Sequence, residues 1–211
     1  DLTLSGSYKW LQFMISYQRE KDAILYITEQ YKKNPAITTV THRNFNRIDN
    51  FSAFLTASPA VGSWHPQLTV GVQKQWAKIE HNGETLQMDT PLFFCTLNNG
   101  IQLPYHWTLS TDINFQSKGD YQNIYMYQNV FMMNATLTKS FLNEHLSIHL
   151  QGIDLAHGRK DGNRIYNKHM NMDVANVSDS RELRFTIRYK FNTAKSKYKG
   201  KGAATEEIKR L

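Results

Sequence analysis

Residues 183–191 alternate strictly between apolar and polar side chains. Leucine, phenylalanine, isoleucine, tyrosine and phenylalanine occupy the odd positions, and arginine, threonine, arginine and lysine occupy the even ones. A period of two is that of a β-strand with two unlike faces. What such a chain can fold into depends on whether these apolar faces point into a protein core or outward into lipid.

The same alternation recurs along most of the chain. Predicted strands cover residues 2–8, 11–18, 38–57, 68–76, 93–103, 107–116, 125–137, 146–150 and 183–191. Residues 23–31 fit either a short helix or an extension of the second strand, and their pattern does not decide between the two. We therefore predict an all-β, antiparallel chain of about nine strands.

Composition alone does not place these strands in water or in lipid. Hydrophobic residues make up 40% of the 211 residues, and the mean hydropathy is −0.55. The sequence contains no run of about 18 apolar residues, so it has no transmembrane helix. Strands of a membrane barrel alternate lipid-facing and lumen-facing side chains, however, and their average is also polar.

The predicted connections alternate between short and long. Short ones lie at residues 9–10, 61–65, 104–105 and 142–145, and longer, more polar ones at 19–37, 79–90, 117–122 and 157–180. Outer-membrane barrels sort their connections in this way, with short turns on the periplasmic side and long loops outside. The order predicts a transmembrane barrel segment whose first and last strands both run toward the short turns.

One turn has two possible positions. Asn99-Gly100 is a strong hairpin signal, but a turn there would split one strand into two stubs. Pro104 suits the end of a strand, and a turn beside it keeps the order of short and long connections. We favour the turn at Pro104.

Aromatic residues cluster near the predicted strand ends. All four tryptophans, Trp10, Trp64, Trp76 and Trp107, lie near a turn or a strand end. Membrane barrels place aromatic girdles at both interfaces, where an amphipathic ring is half hydrated. Aromatic residues also favour strands in general, so the girdle is one of two interpretations.

Three stretches carry a resemblance to a known family. They are residues 58–76, which end in Gln-Lys-Gln-Trp, residues 110–119, and residues 184–200. In this order and spacing they resemble the C-terminal part of the outer-membrane β-barrel family related to TonB-dependent receptors of Gram-negative bacteria. Each motif is short and degenerate, and the resemblance extends over essentially the whole chain.

The resemblance implies the last nine or so strands of a larger barrel, commonly of about 22 strands, located in the cell outer membrane. Residues 1–192 would be barrel strands and residues 193–211 a basic periplasmic tail. The implied function is TonB-dependent uptake of a nutrient. The implied partners are outer-membrane lipid, an N-terminal plug and the remaining strands of the same polypeptide, and TonB.

The last strand supplies the candidate site residues. Arg184, Arg188 and Lys190 lie on its polar side, so we expect them to face the lumen. There they could attract an anionic ligand or pair with carboxylates of the plug. The alternative is an ordinary hydrated wall.

The sequence contains only weak signals for metal binding, catalysis or nucleic-acid binding. His145 and His149 share a face of a strand but lie about 13 Å apart, too far for one metal ion. Asp112, Asp154 and His157 could belong to a catalytic group at a barrel rim, but we expect solvated loop or lumen residues. Although the formal net charge is +7, the sequence has no recognised nucleic-acid motif. We therefore expect no enzyme activity, no cofactor, no metal site and no nucleic-acid partner.

Two other functions remain open at this stage. One is a structural or adhesin-like surface barrel that transports nothing, and the other is a soluble β-sandwich or lipocalin-like binding module. A soluble module would bury the apolar side of residues 183–191 in a closed core. A barrel segment would instead form an open sheet that the rest of the polypeptide completes.

Overall fold

A computed structural model describes residues 1–31, 33–34, 36–81, 83–159, 161–167, 170–176 and 179–191. The strands, in chain order, are β1 (Leu2–Tyr8), β2 (Leu11–Gln30), β3 (Thr38–Ala57), β4 (Trp64–His81), β5 (Glu84–Met88), β6 (Leu92–Leu103), β7 (Trp107–Gln116), β8 (Gly119–Tyr121), β9 (Ile124–Met126), β10 (Val130–Phe141), β11 (Leu146–Ile153), β12 (Asp161–Asn167), β13 (Met170–Asn176) and β14 (Glu182–Tyr189). No helix of the described residues is long and apolar enough to span a membrane. The predicted tail at 193–211 lies outside the described residues.

The main sheet confirms the predicted antiparallel chain. Its strand order is β1-β2-β3-β4-β6-β7-β10-β11-β14, with β5 added beside the end of β4. Every neighbouring pair along this order is antiparallel. With nine strands in the order, the two outermost ones, β1 and β14, run in the same direction. An antiparallel closure between these two edges is therefore impossible.

The register gives the sheet one apolar and one polar face. On the apolar face, Ile15 lies opposite Ala53, and Ala53 lies opposite Val72. One residue further along β2, Ser16 faces Ser52 on the polar face. This division follows directly from the period of two in the sequence.

The apolar face is open to the surroundings. In β14, Leu183, Phe185 and Ile187 are 75%, 63% and 59% exposed, so they do not pack in a closed core as a soluble module would require. The rows of apolar side chains continue across the nine strands from β1 to β14 in the order given above. A continuous apolar surface of this extent is stable in lipid and not in water.

The polar face carries hydrogen bonds between neighbouring strands. The hydroxyls of Thr56 and Thr69 lie 3.0 Å apart, and the hydroxyl of Thr96 donates to Asn114 Oδ1 at 3.1 Å. A small aromatic cluster interrupts this polar surface, where Phe54 and Phe94 lie 6.4 Å apart between ring centroids. Gly71 separates the two rings in the register, and any side chain there would collide with Phe54.

The short turns lie where the sequence predicted them, with one shift. Leu103 pairs with Trp107, so the chain reverses after Pro104, and Asn99-Gly100 lies inside β6. Tyr105 and His106 adopt positive φ angles of 59° and 61° to close this turn. The strand predicted from residue 68 already begins at residue 64.

The aromatic rings are at the ends of the apolar rows. Trp64 and Trp107 are at the short-turn ends of β4 and β7, and Trp76 is toward the opposite end of β4. Trp10 lies in the turn between β1 and β2. This placement agrees with an aromatic girdle at each interface.

The prediction that four segments are long loops is wrong, because most of their residues form strands. β2 continues to Gln30 and pairs with β3 along almost its whole length, which makes 23–31 a strand extension. Residues 79–90 hold the hairpin of β4 and β5. The strand predicted at 125–137 is divided between β9 and β10, and the connection 157–180 contains β12 and β13.

A second sheet and a buried cluster explain why these segments are ordered. The second sheet has the order β13-β12-β9-β8. The cluster consists of buried apolar residues from the extended hairpins, with Tyr125 and Tyr166 of the second sheet packed against it: Ala23, Leu25, Ile48, Ala77, Ile79 and Met88. On the long-loop side, the extended ends of the β2–β3 and β4–β5 hairpins and the second sheet therefore form a folded unit with its own hydrophobic core, which we call the cap.

A charge should be tolerated on one face of β6 and not on the other. Leu97 lies on the apolar face between Leu68 and Ile113, and Asn98 lies on the polar face opposite Asp112. We expect Leu97→Arg to reduce the free energy of unfolding in lipid by about 2–4 kcal/mol, because the charge enters hydrocarbon. Asn98→Arg is the control and should have little effect. Equal losses in urea titrations of the two variants in vesicles would contradict the facial assignment.

Candidate functional site

A buried glutamine joins the cap to the polar face of the main sheet. Gln75 is 4% exposed and lies opposite Asn50 on the polar face. Its Nε2 donates to the carbonyl of Gln122 at 2.7 Å, and the N–H of Gln122 donates to its Oε1 at 2.6 Å. One side-chain amide thus satisfies both backbone polar groups of Gln122 in the β8–β9 turn, which fixes that turn against the polar face.

A small cavity lies between this turn and the sheet, and we call it the polar niche. Its volume is about 240 Å³. Most of its lining is amide or hydroxyl: Ser16, Gln18, Asn50, Ser52, Gln73, Gln75, Tyr121 and Gln122, with the carboxylate of Glu20. The niche is smaller than a pocket for a whole drug-sized ligand, so it suits one hydrogen-bonding unit of a polar solute.

A larger cavity, the hairpin cleft, opens where two hairpins diverge. The pairing of β3 with β4 ends at Ile48 and Ala77, and beyond this point β3 stays with β2 while β4 pairs with β5. The cleft has a volume of about 830 Å³. Tyr17 and Trp76 line it from the main sheet, and Tyr166 lines it from the second sheet.

A buried carboxylate organises the base of this cleft. Asp49 is 7% exposed and accepts hydrogen bonds from Arg19 Nε at 2.9 Å, from Arg47 Nε at 2.7 Å and from the Tyr17 hydroxyl at 3.0 Å. The two arginine side chains are themselves 48% and 53% exposed. One negative charge therefore holds two guanidinium groups in fixed positions at the surface.

A second buried carboxylate fixes the connection after β11. Asp154 is 1% exposed and accepts hydrogen bonds from the N–H of Gly158 at 3.0 Å, the N–H of Arg159 at 3.4 Å and the hydroxyl of Ser180. The Ser180 hydrogen bond is the main cause that lowers the pKa of Asp154, and the two backbone donors add to it against the effect of burial. This carboxylate ties residues 154–159 to the segment that enters β14.

Asp112, Asp154 and His157 were considered above as members of a catalytic group at a barrel rim. In the structure, Asp154 makes the contact just described. The N–H of His157 donates to the carbonyl of Asp154 at 2.9 Å. Asp112 lies on β7 opposite Asn98 and Asn134. His149 has hydroxyls on both sides, with Thr138 at 3.0 Å and Ser147 at 2.9 Å.

The candidate residues of the last strand do not reach either cavity. Arg184 and Arg188 lie opposite Gln151 and Ser147 in the register, on the polar face. Arg184 forms a two-pronged ion pair with Glu182, with both hydrogen bonds at 3.0 Å. Lys190 follows the end of β14. The polar niche lies near the opposite edge of the sheet, and a lumenal role for these three cations stays a prediction.

Sequence reasoning missed the two residues that organise the cavities, Gln75 and Asp49. Gln75 belongs to an ordinary polar row, and its partner Gln122 is 47 residues away. Asp49 gave a weak signal, because this carboxylate lies between Arg47 and Phe51 in a row that is apolar from Phe51 onward. In the described residues, no group of His, Cys, Asp and Glu side chains could hold a metal ion.

Comparison with known proteins gives one match. A family model described as the outer membrane protein beta-barrel family matches residues 1–189. No curated protein and no solved structure matches the chain significantly. The matched range contains every strand of the main sheet.

The Asp154 contact should depend on pH. Because its pKa is lowered in the folded state, its stabilisation is complete above the ordinary value of 3.8 and is lost as the pH falls through the lowered value. At neutral pH, Asp154→Asn should reduce the protection of the Gly158 amide against hydrogen exchange about tenfold or more.

The control for this exchange experiment is Glu144→Gln, which removes a carboxylate in a short turn and should leave the Gly158 amide protected. If the Gly158 amide is protected against hydrogen exchange equally in the Asp154→Asn variant and in the parent protein, the carboxylate does not fix this segment.

Proposed function

This chain belongs to the outer membrane protein beta-barrel family and lies in the outer membrane, and we propose that it is part of a barrel receptor that takes up a nutrient. The cap captures the ligand, and the ligand then passes along the polar face through a lumen opened by movement of a plug. Energy for that movement comes through TonB.

The observation that carries this proposal is the contact between cap and polar face. The β8–β9 turn is bonded to Gln75, and the polar niche lies between that turn and the sheet. A receptor needs hydrogen-bonding groups at the point where an external loop meets the lumen wall. The amides and hydroxyls of the niche fit a solute rich in hydroxyl or amide groups, such as an oligosaccharide or a peptide.

The open edges support a larger barrel. β1 and β14 run in the same direction, so further strands must complete the wall if the sheet is to close in antiparallel fashion. A barrel of about 22 strands leaves a lumen wide enough for a plug domain. The additional strands, the plug and TonB are the partners of this proposal.

The cations of the last strand fit the same proposal as contacts of the plug. Arg184 is already paired with Glu182, so its charge is largely compensated. Arg188 is exposed on the polar face, and Lys190 is exposed just beyond the strand. We propose these two as the stronger candidates for pairing with plug carboxylates. No catalytic step and no cofactor forms part of this function.

A surface barrel without transport is the second candidate. The cap has its own hydrophobic core and a cleft, which would also suit recognition of a partner outside the cell. The two candidates differ in whether ligand enters the cell and in whether entry needs energy.

Uptake by whole cells that carry the full protein separates them. Labelled oligosaccharides and oligopeptides are offered to the parent strain, to a deletion strain and to strains with substituted protein, with and without a protonophore. We expect deletion and protonophore each to abolish accumulation of one solute class. Uptake that is insensitive to the protonophore would indicate a passive channel. A deletion strain whose cells no longer attach to surfaces but take up all solutes unchanged would indicate an adhesin.

Substitutions in the niche test where the ligand binds. Gln18 and Asn50 are cross-strand neighbours in the niche. The double variant Gln18→Leu/Asn50→Leu should raise the half-saturating solute concentration roughly tenfold, because two hydrogen-bonding groups are lost. The cross-strand pair Ser110 and Thr136 lies on the same face outside the niche, and its double leucine variant is the matched control.

A further inference from the structure

Five cationic side chains border the apolar face at the end that is nearer to the cap, which we call the upper end. They form the cationic rim: Arg19, Lys21, Arg47, Lys74 and Lys78. The register places all five in the same rows as the apolar side chains below. Arg19 is next to Tyr17 in its row, and Lys74 lies opposite Phe51. Cations at this level of a barrel lie where the lipid headgroups begin.

The rim is preorganised. Asp49 fixes Arg19 and Arg47 by the hydrogen bonds described above, while half of each arginine side chain stays exposed. Arg19 also donates to the Tyr17 hydroxyl at 3.0 Å. Because the guanidinium groups are already held in place, they lose little conformational freedom when an anion binds.

The hairpin cleft continues the rim upward. Arg47, Asp49, Trp76 and Lys78 belong both to the base of the cleft and to the rows of the apolar face. Lys74 Nζ lies 5.2 Å from the centre of the Trp76 ring. At about 830 Å³ the cleft is large enough for a bulky headgroup, and its lining residues Tyr17, Asp49 and Trp76 continue the rows of the apolar face.

We propose that the cationic rim and the hairpin cleft bind the phosphorylated headgroup of a glycolipid in the surrounding membrane leaflet. Arginine forks and lysine ammonium groups complement phosphate oxygens, and the aromatic rings of Tyr17 and Trp76 suit the interface between headgroup and acyl chain. The acyl chains would lie along the apolar rows below, on Phe51 and Leu55. A free anion would use the cations but not these rows.

The short-turn end offers a matched comparison. Lys139 Nζ lies 5.2 Å from the centre of the Trp107 ring, as Lys74 does from Trp76. Lys9 Nζ lies 5.3 Å from the Tyr8 ring. These two lysines carry the same ammonium group as the rim lysines, and each lies over an aromatic ring at the opposite interface.

The test measures retention of lipid by the full protein in detergent, by native mass spectrometry. The probes are diphosphoryl lipid A, its dephosphorylated form, and inorganic phosphate in large excess as competitor. We expect diphosphoryl lipid A to bind the parent protein at least tenfold more tightly than it binds Lys74→Gln/Lys78→Gln. Lys9→Gln/Lys139→Gln should bind it as the parent does.

Three outcomes would overturn the proposal. They are equal retention by the rim variant and the parent, equal retention of the dephosphorylated lipid, and displacement of the lipid by inorganic phosphate. The last result would indicate a site for a free anion. Glutamine keeps most of the lysine stem, and an unchanged heat-dependent gel shift confirms that both double variants are folded.

Discussion

The fold depends on one constraint, which is that every strand must hold its register while one of its faces meets lipid. Lipid offers no hydrogen-bond partners, so backbone groups in the apolar region must be satisfied by neighbouring strands. A slip of one residue between two strands would move a whole row of polar side chains into hydrocarbon. The row from Ile15 through Ala53 and Val72 to Phe93 shows the register maintained across four strands.

Beyond the apolar rows the same strands follow the rules of a soluble protein. The extended hairpins and the second sheet bury an apolar cluster, and their polar contacts are specific. Gln75 and Trp76 are consecutive residues of β4 that point to opposite faces. Gln75 holds a turn of the cap over the polar face, and Trp76 borders the hairpin cleft above the apolar face. Two distinct cavities therefore arise within a few residues of one strand.

The sequence was sufficient for features that are encoded locally. Alternation and turn residues predicted the turn after Pro104, the faces of Arg184 and Arg188 and the nine strands of the main-sheet order, except that the strand predicted at 125–137 is divided between β9 and β10. The cap was not predictable, because its core joins Leu25 to Ile48 and Met88, which are distant in sequence. The bonds to Gln75 and Asp49 likewise depend on hairpin lengths that alternation does not give, and the pairing of Arg184 with Glu182 is a choice of side-chain rotamer.

The most direct test of the central claim uses the chain's one cysteine, Cys95, which lies on the apolar face of β6. A spin label at Cys95 in bilayers is compared with labels at Phe94→Cys and Thr96→Cys in a Cys95→Ser background. We predict that the label at Cys95 is relaxed mainly by oxygen, whereas those at its two neighbours are relaxed mainly by a water-soluble nickel complex. Equal accessibility to both reagents at all three positions would contradict a lipid-facing apolar face.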